Sequence, residues 1–437
     1  MGFEVMDTKT DGCWSELMAR VLTLDNVNVE GKTVLVRVDI NCPMAPATNT
    51  FLDDTRIKAI LPTLNRLSKA KVIILAHQSR PGKHDFTSTL GHSRELGRLL
   101  GRQIKWVDDI YGSKAMEAIE QLQNGQILML NNVRMDEQEI TTTGDFTAMS
   151  KTKMVQALSG IADIFVNDAF ACAHRSTASI TGFTHEIPCV AGELMGREIR
   201  KLDSALEDPQ RPCMVILGGI KVDDSVTVAD NMLRKGIADS VWVTGGVANM
   251  MVELSGVNIG ELNHNFLVKE LGDNYHSTVE TAKSLLNDFS QQIHLPIDLA
   301  ANIEDNRVDL FIADLPVEAP LIDLGIQSTM AISAAIKKAG TIILNGPAGV
   351  FELVDFSLGT IEILNACAEA EGYTVMGGGH TATLVVKRGL ASKMGHVSTG
   401  GGASLNYIAG RTLPGIASLE ASAKQFAVEI IKPVDNE

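Results

Sequence analysis

Along the chain, short runs of aliphatic and β-branched residues alternate with longer segments of helical pattern. The runs are "TVLVRV", "KVIILA", "QILML" and "ADIFVN" in the first part, then "CMVIL", "SVWVT", "TIILN" and "YTVM". Runs this apolar suit strands buried on both faces, and their alternation with helical stretches predicts βαβ units around parallel sheets. Residues 56–69 and 148–158 are long enough for crossover helices. Two such series predict two α/β domains. Pro188 ends one stretch, and a connecting helix is expected over residues 191–206. Residues 255–290 carry few strand signals and read as helical insertion or surface connection.

A length of 437 residues exceeds what one hydrophobic core usually supports, and 45% hydrophobic residues is ordinary for a globular chain. The formal net charge of −15 argues against broad nucleic-acid or anionic-membrane binding, while leaving room for a local basic cleft. Six cysteines (Cys13, Cys42, Cys172, Cys189, Cys213, Cys367) form no CxxC pair, and no histidine cluster accompanies them. Neither a disulfide framework nor a structural zinc is expected. The amino terminus lacks a basic n-region and an apolar h-region, and no stretch reaches the apolar length of a membrane span. A cytoplasmic, soluble protein with no nucleic-acid or membrane partner is expected.

In open α/β sheets, ligands bind beyond the carboxyl ends of the strands. There the first series carries "DINCP", "HQSRPG", "NNVRMDEQE" and "DAFACAHRSTAS". With "DDTRIKAILP" these bring Arg56, Arg80, Arg134 and Arg175, with His77 and His174, to one rim where they can converge on a small anion. Arginine gives planar, bidentate, permanently charged recognition of phosphate or carboxylate. One such arginine is more simply a solvated surface residue; four after successive strands favour a site.

The second series has glycine-rich strand ends: "ILGGIKVDDS", "WVTGGVANM", "ILNGPAGVFE", "VMGGGHTATL" and "VSTGGGASL". Glycine between a strand and a helix lets backbone N–H groups and the helix dipole cradle phosphate, so this half reads as nucleotide-binding. Taken singly, "NGP" and "VTGG" are equally simple turns. No GxxxxGK[ST] loop is present, and although residues 377–382 fit GxGxxA, residues 383–418 contain no Asp or Glu for a ribose, which disfavours a dinucleotide. Lys221, after "LGGI", is a candidate for the phosphoryl group, against a solvated helix-start lysine. Glu352, after "NGPAGVF", is a candidate for a ribose hydroxyl, against a first-turn helix carboxylate.

The motifs "VLVRVDINCP", "DDTRIKAILPT", "NNVRMDEQE", "VNDAFACAHRSTASITG", "ILGGIKV", "NGPAGVFE" and "HVSTGGGAS", in this order, resemble phosphoglycerate kinase from about Thr33 to Gly415. The resemblance implies an α/β fold of two doubly wound parallel-sheet domains facing a cleft and joined by a hinge helix. It implies reversible phosphoryl transfer between 1,3-bisphosphoglycerate with ADP and 3-phosphoglycerate with ATP, assisted by Mg2+, in glycolysis and gluconeogenesis. A 3-phosphoglycerate domain is expected over residues 1–188, a nucleotide domain over 189–400, and a segment over 401–437 returning towards the first domain. The hinge candidates are the helix near Ala191 and the tail after Pro414. A monomer is expected.

Carried over residue by residue, the resemblance implies that Asp39 and Asn41 meet the glycerate end, while Arg56, His77, Arg80, Arg134 and Arg175 hold its phosphate and carboxylate. It implies Lys221 at the nucleotide phosphates, Gly245 and Gly246 near the adenine, Asn345 and Glu352 at the nucleotide, and Gly377, Gly378, Gly379, His380 and Thr381 at the phosphate tail. Arg56, Lys221, Gly378 and Gly401 are the groups expected at the phosphoryl group in flight. The acceptor carboxylate is already ionised near neutral pH, so positioning, charge neutralisation and closure are the expected chemistry, with no general base.

Three departures from the family pattern stand out. "HQSRP" replaces the usual "HLGRP", so Gln78 and Ser79 stand for Leu and Gly; Ser225 stands where many members have a second lysine; and His380 stands where an aspartate often holds the metal. Imidazole is a poor magnesium ligand, which leaves the metal's ligands unassigned, with Asp223 or Asp224 as candidate replacements. These differences look like an archaeal branch. The competing reading is a phosphoglycerate-kinase-like protein that binds nucleotide without turnover, favoured by His380 and Ser225 and opposed by the arginine set with Lys221.

Overall fold

The computed structural model describes residues 20–45, 48 and 50–430. The chain divides into two units, one running to Arg200 and resuming at Thr412, the other Lys201–Arg411.

The first unit is built on six strands: β1 (Thr33–Val38), β2 (Lys71–Leu75), β3 (Lys105–Trp106), β4 (Ile127–Met129), β5 (Ile164–Asp168) and β6 (Cys189–Ala191). They form one sheet in the order β3-β4-β2-β1-β5-β6 with every pairing parallel. Val36 on β1 lies opposite Ile74 and Val166, and all three are fully buried. This is why the strand runs are continuously apolar: helices cover both faces. From β1 the chain winds outward through β2, then returns to β1's other side as β5. The winding therefore reverses between β1 and β5, and an open α/β sheet leaves its ligand crevice beyond that point.

The second unit repeats the plan with β7 (Cys213–Leu217), β8 (Ser240–Val243), β9 (Ile293–His294), β13 (Thr341–Asn345), β14 (Tyr373–Gly377) and β15 (His396–Val397). Their order is β15-β14-β13-β7-β8-β9, again all parallel, with the reversal between β7 and β13. Residues 255–290 are helical, as expected, in Glu261–Leu271 and Tyr275–Asp288. The hydrophobic pattern missed an antiparallel sheet of β10 (Asp298–Ile303), β11 (Asn306–Phe311) and β12 (Leu321–Leu324). Its hairpin turns on Glu304 and Asp305, both at positive φ (50° and 62°), a type that carboxylate and amide residues tolerate.

The expected connecting helix is present as Glu193–Leu206. Asp168 fixes its start: one carboxylate oxygen accepts the N–H of Leu194 at 2.9 Å and of Met195 at 3.1 Å. Residues 189–191 pair with β5 as β6, and residues 402–411 are tied to the helix Val222–Arg234 through Asn231 to the Ile408 carbonyl and Arg411 to Asp224, both at 3.0 Å. These contacts put the unit limits at 200/201 and 411/412, where the sequence suggested 188/189 and 400/401. The helix Pro414–Ile430 returns to the first unit, where Gly415 N donates to Ala173 O at 2.8 Å and Ser422 Oγ accepts from Cys189 N at 2.9 Å.

Candidate functional site

Asp39 and Asn41 follow β1, His77 follows β2, Arg134 follows β4, and His174 and Arg175 follow β5, so the sheet itself delivers them to one edge. Buried Asp39 accepts a 2.5 Å hydrogen bond from Arg56 Nη1 and a 3.1 Å bond from its neighbour's amide, Asn41 N. Asn41 Oδ1 in turn accepts from Ser79 N at 2.8 Å, and the Ser79 carbonyl accepts from Arg134. Arg175 donates to His174 Nε2 at 3.2 Å. Arg80 is exposed, and its side chain makes no bond among the described residues.

His77 reports how far the charges converge. Burial, then the positive charges of Arg37, Arg134, Arg175 and Arg56, hold its pKa well below the usual value, so it is neutral. Burial and the neighbouring Arg175 and Arg37 also lower the pKa of Arg134. Four arginines thus converge on one buried neutral ring, with Asp39 paired to Arg56 and Glu139 linked to Arg37 through Ser179, an arrangement suited to a phosphate or carboxylate at Arg134 and Arg175.

Asp39, His77 and Cys172 bring potential ligand atoms within 4.8 Å of one another. Yet Arg56 occupies Asp39, Arg37 occupies His77 Nδ1, and burial raises the Cys172 thiol to about 11. The surrounding arginines oppose a dication at this cluster.

The departures at Gln78 and Ser79 fit without disturbing these residues. Buried Gln78 staples the loop after β1, accepting from Cys42 N at 3.1 Å and donating to Cys42 O at 2.9 Å. Ser79 holds φ +55°, the left-handed region that favours glycine, and its hydroxyl bonds Asp85 at 2.5 Å.

In the second unit the glycine-rich strand ends divide into two kinds. A Cβ at Gly218 would meet Pro347 O and Thr244 Oγ1 at 2.3 Å, and one at Gly246 would meet Gly219 O at 3.0 Å. The "LGG", "TGG" and "NGP" turns thus pack backbone against backbone at the β7/β13 reversal, with Gly219 N donating to Pro347 O at 2.7 Å and Gly246 N to Gly219 O at 3.1 Å. By contrast, a Cβ at Gly379, Gly401 or Gly402 would meet nothing within 4 Å. Gly379 opens the helix Gly379–Lys387 and Gly402 the helix Gly402–Ile408, so both starts present bare backbone to open space.

Beside Gly377 and Gly378 stand two oxygens without partners among the described residues: Asn345 Oδ1 and Thr381 Oγ1, on residues 6% and 1% exposed. Buried polar atoms rarely go unpaired, so both point to a ligand. Lys221 is exposed at the N-cap of Val222–Arg234, and Glu352 is exposed in a turn outside any helix, which removes its reading as a first-turn carboxylate. The antiparallel sheet holds that turn: Val350 N donates to Ile322 O, and Arg307 donates to the Asp355 carbonyl, both at 2.9 Å. Ser225 is fully buried with its hydroxyl unpartnered, so no charge from that position reaches the rim. The side chain of His380 lies outside the described part of the structure.

Sequence reasoning passed over Arg37, Glu139 and Ser179. The signal was available: an arginine inside the apolar run "VLVRV" of a central strand requires buried partners.

Residues 24–411 match the family profile of phosphoglycerate kinase. A phosphoglycerate kinase of Methanobacterium bryantii is 45% identical over 394 residues, covering 90% of this chain and 95% of the relative. One of Methanothermobacter thermautotrophicus is 44% identical over 402 residues, covering 92% and 97%. The crystal structure of phosphoglycerate kinase from Pyrococcus horikoshii OT3 superposes with a TM-score of 0.84 at 36% identity, covering 93% of this chain and all of that one. With the profile spanning most of the chain and relatives matched at 44–45% identity over nearly their whole length, this chain belongs to the phosphoglycerate kinase family, kinases that transfer phosphate to a carboxyl group.

Proposed function

We propose that the rim of the first unit binds 3-phosphoglycerate and the rim of the second binds ATP or ADP. The observation that carries the first half is the convergence of Arg37, Arg134, Arg175 and Arg56 on buried His77. Arg56, Arg134, Arg175 and Arg80 neutralise the phosphate and carboxylate, and Asp39 with Asn41 orients the glycerate hydroxyl. For the second half, the bare helix starts at Gly379 and Gly402 receive phosphate oxygens, the Thr381 hydroxyl donates to the phosphate tail, Asn345 lies at the nucleotide, Gly245 and Gly246 lie near the base, and Glu352 meets the ribose.

Magnesium prefers oxygen donors, and the unpartnered Asn345 Oδ1 and Thr381 Oγ1 fit that preference. Asp223 is bonded to Asn274 and Asp224 to Arg411, each at 3.0 Å, which speaks against either as the replacement for the usual aspartate. Bound with the nucleotide, magnesium neutralises phosphate charge.

The acceptor is an ionised carboxylate, so no proton has to be removed before attack. Arg56 and Lys221 neutralise charge on the transferring group, and Gly378 and Gly401 let backbone N–H groups approach it. With acceptor and donor held on different units, transfer depends on a closure that excludes water. Among the described residues no helix is long and apolar enough to cross a membrane, and the five described cysteines are free thiols, which supports a reducing cytoplasm. A monomer meets these needs.

The test is ATP formation from ADP and 1,3-bisphosphoglycerate generated in situ, with magnesium titrated. Turnover in the native chain that falls by about 100-fold or more in Lys221→Ala is expected. Nucleotide binding without turnover in the native chain refutes the proposal.

A further inference from the structure

Arg37 places a charge in the middle of a buried apolar strand and is only 2% exposed. Every part of its fork is engaged. Nε donates to Ser179 Oγ at 2.9 Å, Nη1 donates to the Val38 carbonyl, and Nη2 lies 3.0 Å from His77 Nδ1. Ser179 passes the connection on: its hydroxyl donates to one oxygen of buried Glu139 at 2.7 Å, and its backbone N–H donates to the other at 2.8 Å.

A guanidinium has donors only, so His77 Nδ1 must be the acceptor of the 3.0 Å bond. A neutral imidazole that accepts at Nδ1 carries its proton on Nε2. His77 Nε2 has no hydrogen-bond partner among the described residues, so its N–H is available to a ligand. A cation and a carboxylate separated by a serine are a poor stabilising device, because apolar residues of similar volume serve a core as well without the desolvation cost. The arrangement is better suited to setting the state of His77.

We infer that Arg37, held by Ser179 and Glu139, is a positioning residue that locks His77 in the Nε2–H tautomer, so that this N–H donates to bound phosphoglycerate. The inference rests on the reading of His77 as a substrate contact. An unlocked ring would place its proton on Nδ1 in part of the population and turn a lone pair, instead of a donor, towards the anion.

The test uses full-length protein labelled with 15N-histidine and two-bond 1H–15N ring correlations, with His77 assigned by the signal missing from His77→Gln. A single Nε2–H pattern near neutral pH is expected, with the Nε2 resonance moving on addition of 3-phosphoglycerate. Arg37→Lys keeps the charge without the fork, and Ser179→Ala opens the relay. Each is expected to give a mixture of tautomers and to raise KM for 3-phosphoglycerate about tenfold while leaving KM for ATP unchanged.

An Nδ1–H pattern in the native protein overturns the inference. So does an Arg37→Lys protein that keeps the pure Nε2–H form and native KM; if that variant does not fold, Ser179→Ala is judged by the same criteria. A native Nε2–H signal that 3-phosphoglycerate does not move overturns the substrate contact while the tautomer assignment stands, which separates the two readings.

Discussion

Arg56 Nη1 and Asp39 Oδ2 meet at 2.5 Å where β1 ends, with Asp39 4% exposed and the Arg56 side chain 37% exposed. Asp39 holds one edge of the guanidinium, and the Arg56 side chain makes no other hydrogen bond among the described residues. Arg56→Lys keeps the charge but loses the planar fork. It is expected to lower kcat/KM for 3-phosphoglycerate by about 100-fold, while Arg56→Gln also leaves the buried carboxylate unpaired and lowers the melting temperature. Steady-state kinetics with a thermal melt on each variant checks both.

The two kinds of glycine predict opposite phenotypes. Gly246→Ala pushes a Cβ against Gly219 O at 3.0 Å and Val222 Cγ2 at 3.3 Å, so it should cost about 1–3 kcal/mol in urea unfolding. Gly379→Ala meets nothing within 4 Å and should leave stability within about 0.5 kcal/mol. Its methyl would lie on the open helix start, so KM for ATP should rise. Equal stability losses in the two variants would contradict the division.

Ser79 combines φ +55° with a hydroxyl bond to Asp85. Ser79→Ala keeps the backbone strain and loses the bond, and is expected to destabilise by about 1 kcal/mol. Ser79→Gly loses the same bond but relieves about 1 kcal/mol of left-handed strain, so it should be near neutral. Urea titration of the pair decides this; a Gly variant as weak as the Ala variant would mean that the strain is negligible.

Burial raises the pKa of Asp168 to about 7, above its ordinary value of 3.8, against the lowering effect of the hydrogen bonds from Met195 N and Leu194 N. Between those values the folded state binds the proton more tightly than the unfolded chain, so stability falls as pH rises through the window and then levels off above about 7. Asp168→Asn can still accept the two N–H groups and does not titrate. The decline in unfolding free energy from about pH 4.5 to 8 should therefore be smaller in the variant by about 1–4 kcal/mol. Parallel slopes in the two proteins would refute the assignment.

Much of this molecule was legible in the sequence. Continuous apolar runs such as "KVIIL" can only be buried on both faces, which means parallel strands under helices. In such sheets the residues after each strand must gather at one edge, and this is why the sequence could place His77, Arg134 and Arg175 at one rim. Motif order added the family. The antiparallel sheet escaped because β11 is mostly half-exposed and its short strands lack an apolar run.

Three matters were decided only by tertiary structure. Glycine pairs look alike in sequence, and only the backbone contact between Gly218 and Pro347 separates packing turns from the bare starts at Gly379 and Gly402. The partners of Arg37 are 40 and 142 residues away, so a charge in a strand could be noticed while its purpose could not. The unit limits follow from where β6 and Arg411 find partners. In each case the deciding quantity is a contact between positions far apart in the chain; periodicity records which face a residue presents, but not what it meets there.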